Sequence, residues 1–398
     1  MNQISQRIQA LSPSATLAMS QKSAELKAQG VDVINMSVGE PDFNTPKFIK
    51  EAAKKAIDDN FSRYTPVPGY LSLRKAIAAK LLRENHIEFA PEQIVVGNGA
   101  KQELCNVLLA TINPGDEVII PVPAWVSYVE MVKLAEGVTV QVYAGVEQDF
   151  KITPAQLEKA ITRKTRMIML NSPSNPTGSI YSYDELKGLA EVLAKHPDVM
   201  ILADEIYEHI NFVGGDVHSI SEFESVRDRV IIVNGVSKAY AMTGWRIGYM
   251  AGPLPIAKAV SKLQGQYTSG ASSIAQKAAE AAYDGPQDCV EDMRKAFERR
   301  RDLIVSLAKE IPGWVTNTPQ GAFYLFPRVD AYIGKKCGTR EIKTSGDYVM
   351  YLLEEAHVAC VDGEAFCAPG YMRLSYATSD DNIREAMRRI KVASEKLK

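Results

Sequence analysis

One lysine and one arginine, Lys238 and Arg246, lie between two apolar, strand-like runs in the segment 231–251. Val230-Ile231-Ile232-Val233 is short and β-branched, which marks a buried strand, and Gly235, Ser237 and Gly244 leave the following loop permissive. Lys238 sits in that loop among Val236, Ala239, Tyr240 and Met242. Apolar neighbours desolvate an ammonium and favour the neutral nucleophilic amine, the form that Schiff-base chemistry needs. The same residues also fit a loop lysine that merely precedes a buried strand. Arg373 stands inside the short strand-like run Tyr371-Met372-Arg373-Leu374-Ser375. A buried-strand arginine needs an anion, and its planar fork binds a carboxylate bidentately, whether from an amino-acid ligand or from a structural ion pair. Asp204 closes the run Val199-Met200-Ile201-Leu202-Ala203, at the strand end where ligands of open α/β sheets gather, although salt-bridged aspartates are common there too.

Other segments offer complementary groups. Ile94-Val95-Val96-Gly97-Asn98-Gly99-Ala100 reads as strand, glycine turn and helix start, and the free N–H groups and positive dipole end of such a helix suit a phosphate. A Gly-x-Gly turn alone is weak support for that. Gly39, in Gly39-Glu40-Pro41-Asp42, lets the backbone pass close to a ligand. Trp125 follows a Pro-rich strand end, and Asn175 lies in a loop dense in turn formers.

Ser237-Lys238 followed by Ala241-Met242-Thr243-Gly244-Trp245-Arg246-Ile247-Gly248-Tyr249 resembles the cofactor-lysine signature of the class I aminotransferases, the aspartate aminotransferase family of fold-type I pyridoxal-phosphate enzymes. Gly39-Glu40-Pro41-Asp42, Tyr64-Thr65-Pro66 and Asn175-Pro176-Thr177-Gly178 are similar to further strings of that family, and the resemblance covers nearly the whole chain. It implies pyridoxal 5'-phosphate held as an imine on Lys238, its ring nitrogen faced by Asp204, its ring oxygen held by Asn175 and Tyr207, and its ring stacked on Trp125. The phosphate would lie on Gly99, Ala100, Ser237 and Arg246, with Lys101 beside it and Tyr64 reaching in from the second subunit of a homodimer. Lys238, with Asp204 and Tyr207, would carry the catalysis. The substrate would meet Gly39, Trp125, Asn175 and Arg373, the last clamping the α-carboxylate. Lys101, with Ser14 and Thr16 nearby, is the candidate for an acidic side chain.

The reaction so implied is transamination by a ping-pong cycle, L-aspartate and 2-oxoglutarate giving oxaloacetate and L-glutamate. The strings look closest to the bacterial branch that includes aspartate and aspartate/prephenate aminotransferases. Ser12 stands where some members of that branch carry a lysine before Pro-Ser-Ala-Thr, which counts against prephenate. Aromatic or aliphatic amino acids and prephenate remain alternative substrates. A β-lyase on the same scaffold would keep Lys238, Asp204 and Arg373, and a non-catalytic regulator is disfavoured because the reactive set is intact.

These groups need a scaffold. At 398 residues the chain exceeds the size at which one core stops growing, so two domains are expected. Apolar strands alternating with helical stretches such as 183–195 predict an α/β fold, a mostly parallel sheet flanked by helices, over 46–284. Residues 1–45 and 285–398 are expected to form a smaller α+β domain. Residues 254–310 read as helical with a break at Asp284-Gly285-Pro286, Arg299-Arg300-Arg301 as a solvated helix face, Gln320–Pro327 as a strand, and 328–347 as a polar loop. With 46 basic and 48 acidic side chains, the net charge of −2 offers no electrostatic case for nucleic acid or an anionic membrane. Five scattered cysteines without a C-x-x-C pair suggest neither disulfides nor zinc and fit a reducing cytoplasm. No apolar leader opens the sequence, and no run is long enough to span a bilayer.

Overall fold

The computed structural model of the chain describes residues 3–215 and 217–398. Its central sheet has seven strands: β1 (Ile94–Gly97), β2 (Glu117–Val122), β3 (Val138–Tyr143), β4 (Thr165–Asn171), β5 (Met200–Asp204), β6 (Val230–Gly235) and β7 (Gly248–Ala251). Their order across the sheet is β1-β7-β6-β5-β4-β2-β3, and only β7 runs antiparallel to its neighbours.

Strand alternation explains the layering. In β6, Val230 and Ile232 pack toward the helices Pro154–Ala160 and Tyr183–Leu193, whereas Ile231 and Val233 pack toward Ala100–Thr111, Ser127–Leu134 and Leu254–Tyr267. Both faces are covered, so the strands read as continuous apolar runs. Glycine sets one close approach. A Cβ at Gly248 would come within 2.2 Å of the Ala100 nitrogen, and one at Gly235 within 2.8 Å of the Gly248 Cα. This bare backbone brings the loop after β6, which carries Lys238, against the N-terminus of the helix at Ala100.

A further core joins Ile34 and Met36 to the helices Asp288–Ala308 and Asp380–Glu395 and to a three-stranded sheet of Val361–Asp362, Met372–Ser375 and Tyr324–Leu325. Ile206 and Tyr207 extend from the central sheet into this cluster. Among the described residues no helix is long and apolar enough to cross a membrane.

Four local expectations need correction. The helical region breaks at 285–287, one residue later than the Asp284-Gly285-Pro286 expected, and also between Tyr267 and Ser273. The strand expected over Gln320–Pro327 contracts to Tyr324–Leu325, because the remaining residues bond irregularly to the loops at Gly178 and Ile210. Residues 328–347 are not a plain loop: Asp330–Tyr332 is a helical turn, Lys336–Cys337 pairs with Arg340–Glu341, and the helix Ser345–Tyr351 starts within the stretch. The arginine run is not uniformly solvated. Arg300 is buried, with its fork on both oxygens of Asp42 at 2.7 and 2.9 Å, while Arg301 bonds the Pro319 carbonyl and lies over Phe212. Only Arg299 keeps the expected exposure, paired with Asp380.

Candidate active site

The C-terminal ends of β4, β5 and β6 converge on a cavity of about 540 Å³. Apart from Gly99 and Tyr64, every site residue expected from the sequence lines it. Gly99 lies just beneath, at φ +87°, and a Cβ there would come within 2.2 Å of the Arg246 guanidinium. That guanidinium donates to the Thr243 and Asn98 carbonyls at 2.8 and 3.0 Å, which clamps it over the glycine turn and the first turn of the helix at Ala100. Tyr64 is 96% exposed and stands outside the cavity of its own chain.

Lys238 points into this space, its Nζ donating to the Gly39 carbonyl at 2.6 Å and lying 5.6 Å from the centre of the Tyr207 ring. Burial pulls its pKa down to about 8. Arg373 and Arg246 push the same way, while Glu40 and Asp204 hold it up. Near pH 7 roughly a tenth of the amine is then neutral, against well under a hundredth at the ordinary lysine value.

Asp204, at the end of β5, is buried. Its Oδ2 accepts the Tyr128 hydroxyl at 2.6 Å and its Oδ1 the Ile206 N–H at 3.2 Å. Burial raises its pKa to about 6, against the opposing effect of those donors and Lys238. Asn171, at the end of β4, bonds the Asp204 carbonyl through Nδ2 at 2.9 Å and accepts the Asn175 N–H at 2.8 Å, so adjacent strand ends hold Asn175 in place. The Tyr207 hydroxyl shares a 2.8 Å hydrogen bond with that of Tyr324, and burial raises its pKa far above the ordinary phenol range.

Arg373 is 1% exposed. Its fork donates to Asn175 Oδ1 at 3.0 Å and the Ser37 carbonyl at 2.7 Å, its plane lies over Tyr324 and Phe366, and Nε has no partner. No carboxylate among the described residues pairs with it. The structural ion pair left open from the sequence is absent, and a buried cation without an anion is costly unless a ligand supplies one. Lys101 also lacks an acidic partner among the described residues. Its Nζ lies 4.7 Å from the centre of the Trp125 ring, and burial followed by the Arg246 charge lowers its pKa. Across the cavity, the buried hydroxyl of Thr16 has no hydrogen-bond partner.

Four cations, Lys101, Lys238, Arg246 and Arg373, thus face two carboxylates, Glu40 and Asp204. Such a site suits a ligand set with more than one anionic group. Tyr128, Tyr324, Asn171 and Glu40 were not singled out from sequence. Asn171 occupies a strand end just as Asp204 does, so the same rule reaches it, and Tyr128 lies one helical turn beyond Trp125, edge-on to its ring. Tyr324 carried no local signal.

The family model described as Aminotransferase class I and II matches residues 31–390. A probable aspartate/prephenate aminotransferase of Rhizobium leguminosarum bv. phaseoli is 52% identical over 382 residues, 95% of each chain. The crystal structure of the aspartate aminotransferase from Rhizobium meliloti superposes with a TM-score of 0.97 at 43% identity, covering 100% of both chains. The Thermus thermophilus aspartate aminotransferase with maleate superposes with a TM-score of 0.92 at 40% identity, covering 99% of this chain and 100% of the other.

Proposed function

The chain belongs to the class I and II aminotransferases, and on that premise we propose that it transfers the amino group of L-aspartate to 2-oxoglutarate, giving oxaloacetate and L-glutamate, with pyridoxal 5'-phosphate as its cofactor. The observation that carries the reading is Arg373, a fully buried guanidinium with no acidic partner among the described residues, beside a desolvated lysine. The donor set fits the cofactor. Gly99, Ala100, Ser237 and Arg246 make a cradle for a phosphate, Trp125 offers a flat face, and Asp204 offers a buried carboxylate to a protonated ring nitrogen. Tyr207 and Asn175 can donate to the ring oxygen. When bound, pyridoxal phosphate supplies an electron sink for the bonds at the substrate's α-carbon.

The chain's own groups do the rest. Arg373 and Asn175 hold the α-carboxylate and orient the α-carbon, and Lys238 Nζ, as a free amine, takes the proton from that carbon. Asp204 keeps a proton on the ring nitrogen. Lys101, with Ser14 and the unpartnered Thr16 hydroxyl, receives the side-chain carboxylate of aspartate. The preference for a four-carbon diacid is in keeping with the maleate named with the Thermus relative. Ser12 is exposed, and its N–H donates to Glu130 at 2.8 Å.

Residues 46–284 act as the cofactor-holding domain, with 1–45 and 285–398 as the second, in a cytoplasmic homodimer. The exposed Tyr64 is free to reach a partner's phosphate site. Support for that division is the cluster joining Ile34 and Met36 to residues 293–397.

Oxaloacetate release from L-aspartate and 2-oxoglutarate, followed with and without added pyridoxal phosphate, tests the reading. Cofactor-dependent release is expected. Lys238→Ala should retain cofactor but lose turnover by several orders of magnitude, and near-normal turnover in that variant would refute the assignment.

A further inference from the structure

The turn after β5 has two faces. Asp204 and Tyr207 line the central cavity, whereas Glu208 and His209 line a separate cleft behind it. The Glu208 side chain, 8% exposed, takes donors from two other elements. Lys80 Nζ and Asn85 Nδ2 (2.9 Å) come from the helix Leu71–Asn85, and Asn234 Nδ2 (2.6 Å) from β6. Lys80 and Asn234 are 1% and 2% exposed. Lys80 also donates to Asn85 Oδ1 at 2.8 Å, and Asn234 Oδ1 accepts the Gly235 N–H at 2.7 Å, four residues before Lys238 falls from the same loop. Burial would raise the Glu208 pKa, but Lys80, His209 and Asn85 outweigh it, and the group stays ionised. Glu84, Glu208 and His209 together have the donors of a cation site, yet the Lys80 ammonium already supplies the positive charge there.

β5 and β6 already pair side by side up to Asp204 and Val233, with the Glu205 N–H on the Val233 carbonyl at 2.9 Å, and the Glu208–Asn234 bond extends that tie past the strand ends toward Lys238. We propose that Glu208 is a positioning residue: the buried Lys80–Glu208–Asn234 bridge sets the separation of Lys238 from Tyr207 and Asp204, and thereby how the amine is presented to the cavity. The proposal rests on Lys238 being the reactive amine of the function given above.

Full-length Glu208→Gln and Asn234→Ala test it through two readouts. In cofactor-free protein, the pH midpoint of Lys238 modification by an amine-directed reagent, read by peptide mass spectrometry, should move by about half a pH unit or more in both variants. In cofactor-loaded protein, kcat for L-aspartate should fall roughly 10- to 100-fold with KM changed less than about threefold, since Arg373 and Lys101 are untouched. Folded variants with an unchanged Lys238 midpoint overturn the proposal, whether kcat is normal or falls only with the folded fraction. If Glu208→Gln does not fold, Asn234→Ala, which removes the Asn234 contacts to Glu208 and Gly235 but leaves Lys80 and Asn85 on Glu208, decides by the same two readouts. If the wild-type protein releases no oxaloacetate, the proposed function fails while the Lys238 midpoint still decides the role of Glu208.

Discussion

Tyr128→Phe removes one hydroxyl and keeps the ring that packs edge-on against Trp125 at 5.5 Å. The lost contact is the 2.6 Å hydrogen bond to Asp204 Oδ2, which favours the ionised carboxylate. A hydrogen bond to a charged group contributes about 1.5–3 kcal/mol, and 1.36 kcal/mol corresponds to one pH unit, so the Asp204 midpoint should rise by about one to two pH units. In the wild-type protein that midpoint is at about 6. A carboxyl group is charged above its pKa, so below about pH 7 the variant carries mostly the neutral acid, which pairs poorly with a protonated ring nitrogen. Taking a rise of about 1.5 pH units, the ionised fraction at pH 6.5 falls roughly eightfold, whereas near pH 9 the two proteins differ little. Pyridoxal phosphate affinity, measured by fluorescence titration from pH 5.5 to 9, should show the lower limb displaced upward and the curves converging at high pH. A uniform loss at every pH, or superimposable curves, would refute the role given to the Tyr128–Asp204 contact.

Arg373→Ala should lower kcat/KM for every amino-acid substrate by at least about 100-fold, the scale of losing a buried bidentate carboxylate contact, and unchanged steady-state kinetics would place the clamp elsewhere. Lys101→Ala should weaken aspartate by about 10-fold or more relative to alanine, and an equal loss on both would remove Lys101 from side-chain recognition. Glu103 is fully buried with one oxygen unpartnered, and burial raises its pKa from 4.5 to about 8 despite the Asn106 hydrogen bond. Between those values the unfolded chain has released the proton that the folded one keeps, so stability falls as pH rises and levels off above about 8. Glu103→Gln lacks this dependence. Its unfolding free energy relative to wild type, from denaturant melts, should climb from pH 5 to pH 8 toward a ceiling of roughly 4–5 kcal/mol, and a pH-independent difference would show that Glu103 ionises freely. A sedimentation profile with only monomer in the active protein would contradict the cross-subunit place of Tyr64.

Much of the scaffold follows from local pattern. The β-branched run at Val230, the glycine turn before Ala100 and the helix Tyr183–Leu193 are written in short stretches of chain, and the structure forms them where periodicity and turn residues put them. Lys238, Asp204 and Arg373 were legible because a charged residue inside an apolar stretch is itself the signal. What local pattern lacks is distance and partnership. Whether Arg373 meets a carboxylate of its own chain depends on segments 198 and 336 residues away, and it meets Asn175 and the Ser37 carbonyl instead. Three adjacent arginines look alike in sequence, yet the packing of their helix buries Arg300 on Asp42 and leaves Arg299 in solvent. Tyr128 and Glu208 read as ordinary helix and turn residues until the strand ends converge and make each a partner of the buried machinery. Residue type and spacing determined the chemistry on offer. Tertiary packing decided which charges stay unpaired, because burial and the absence of a partner are properties of the assembled core and not of any segment.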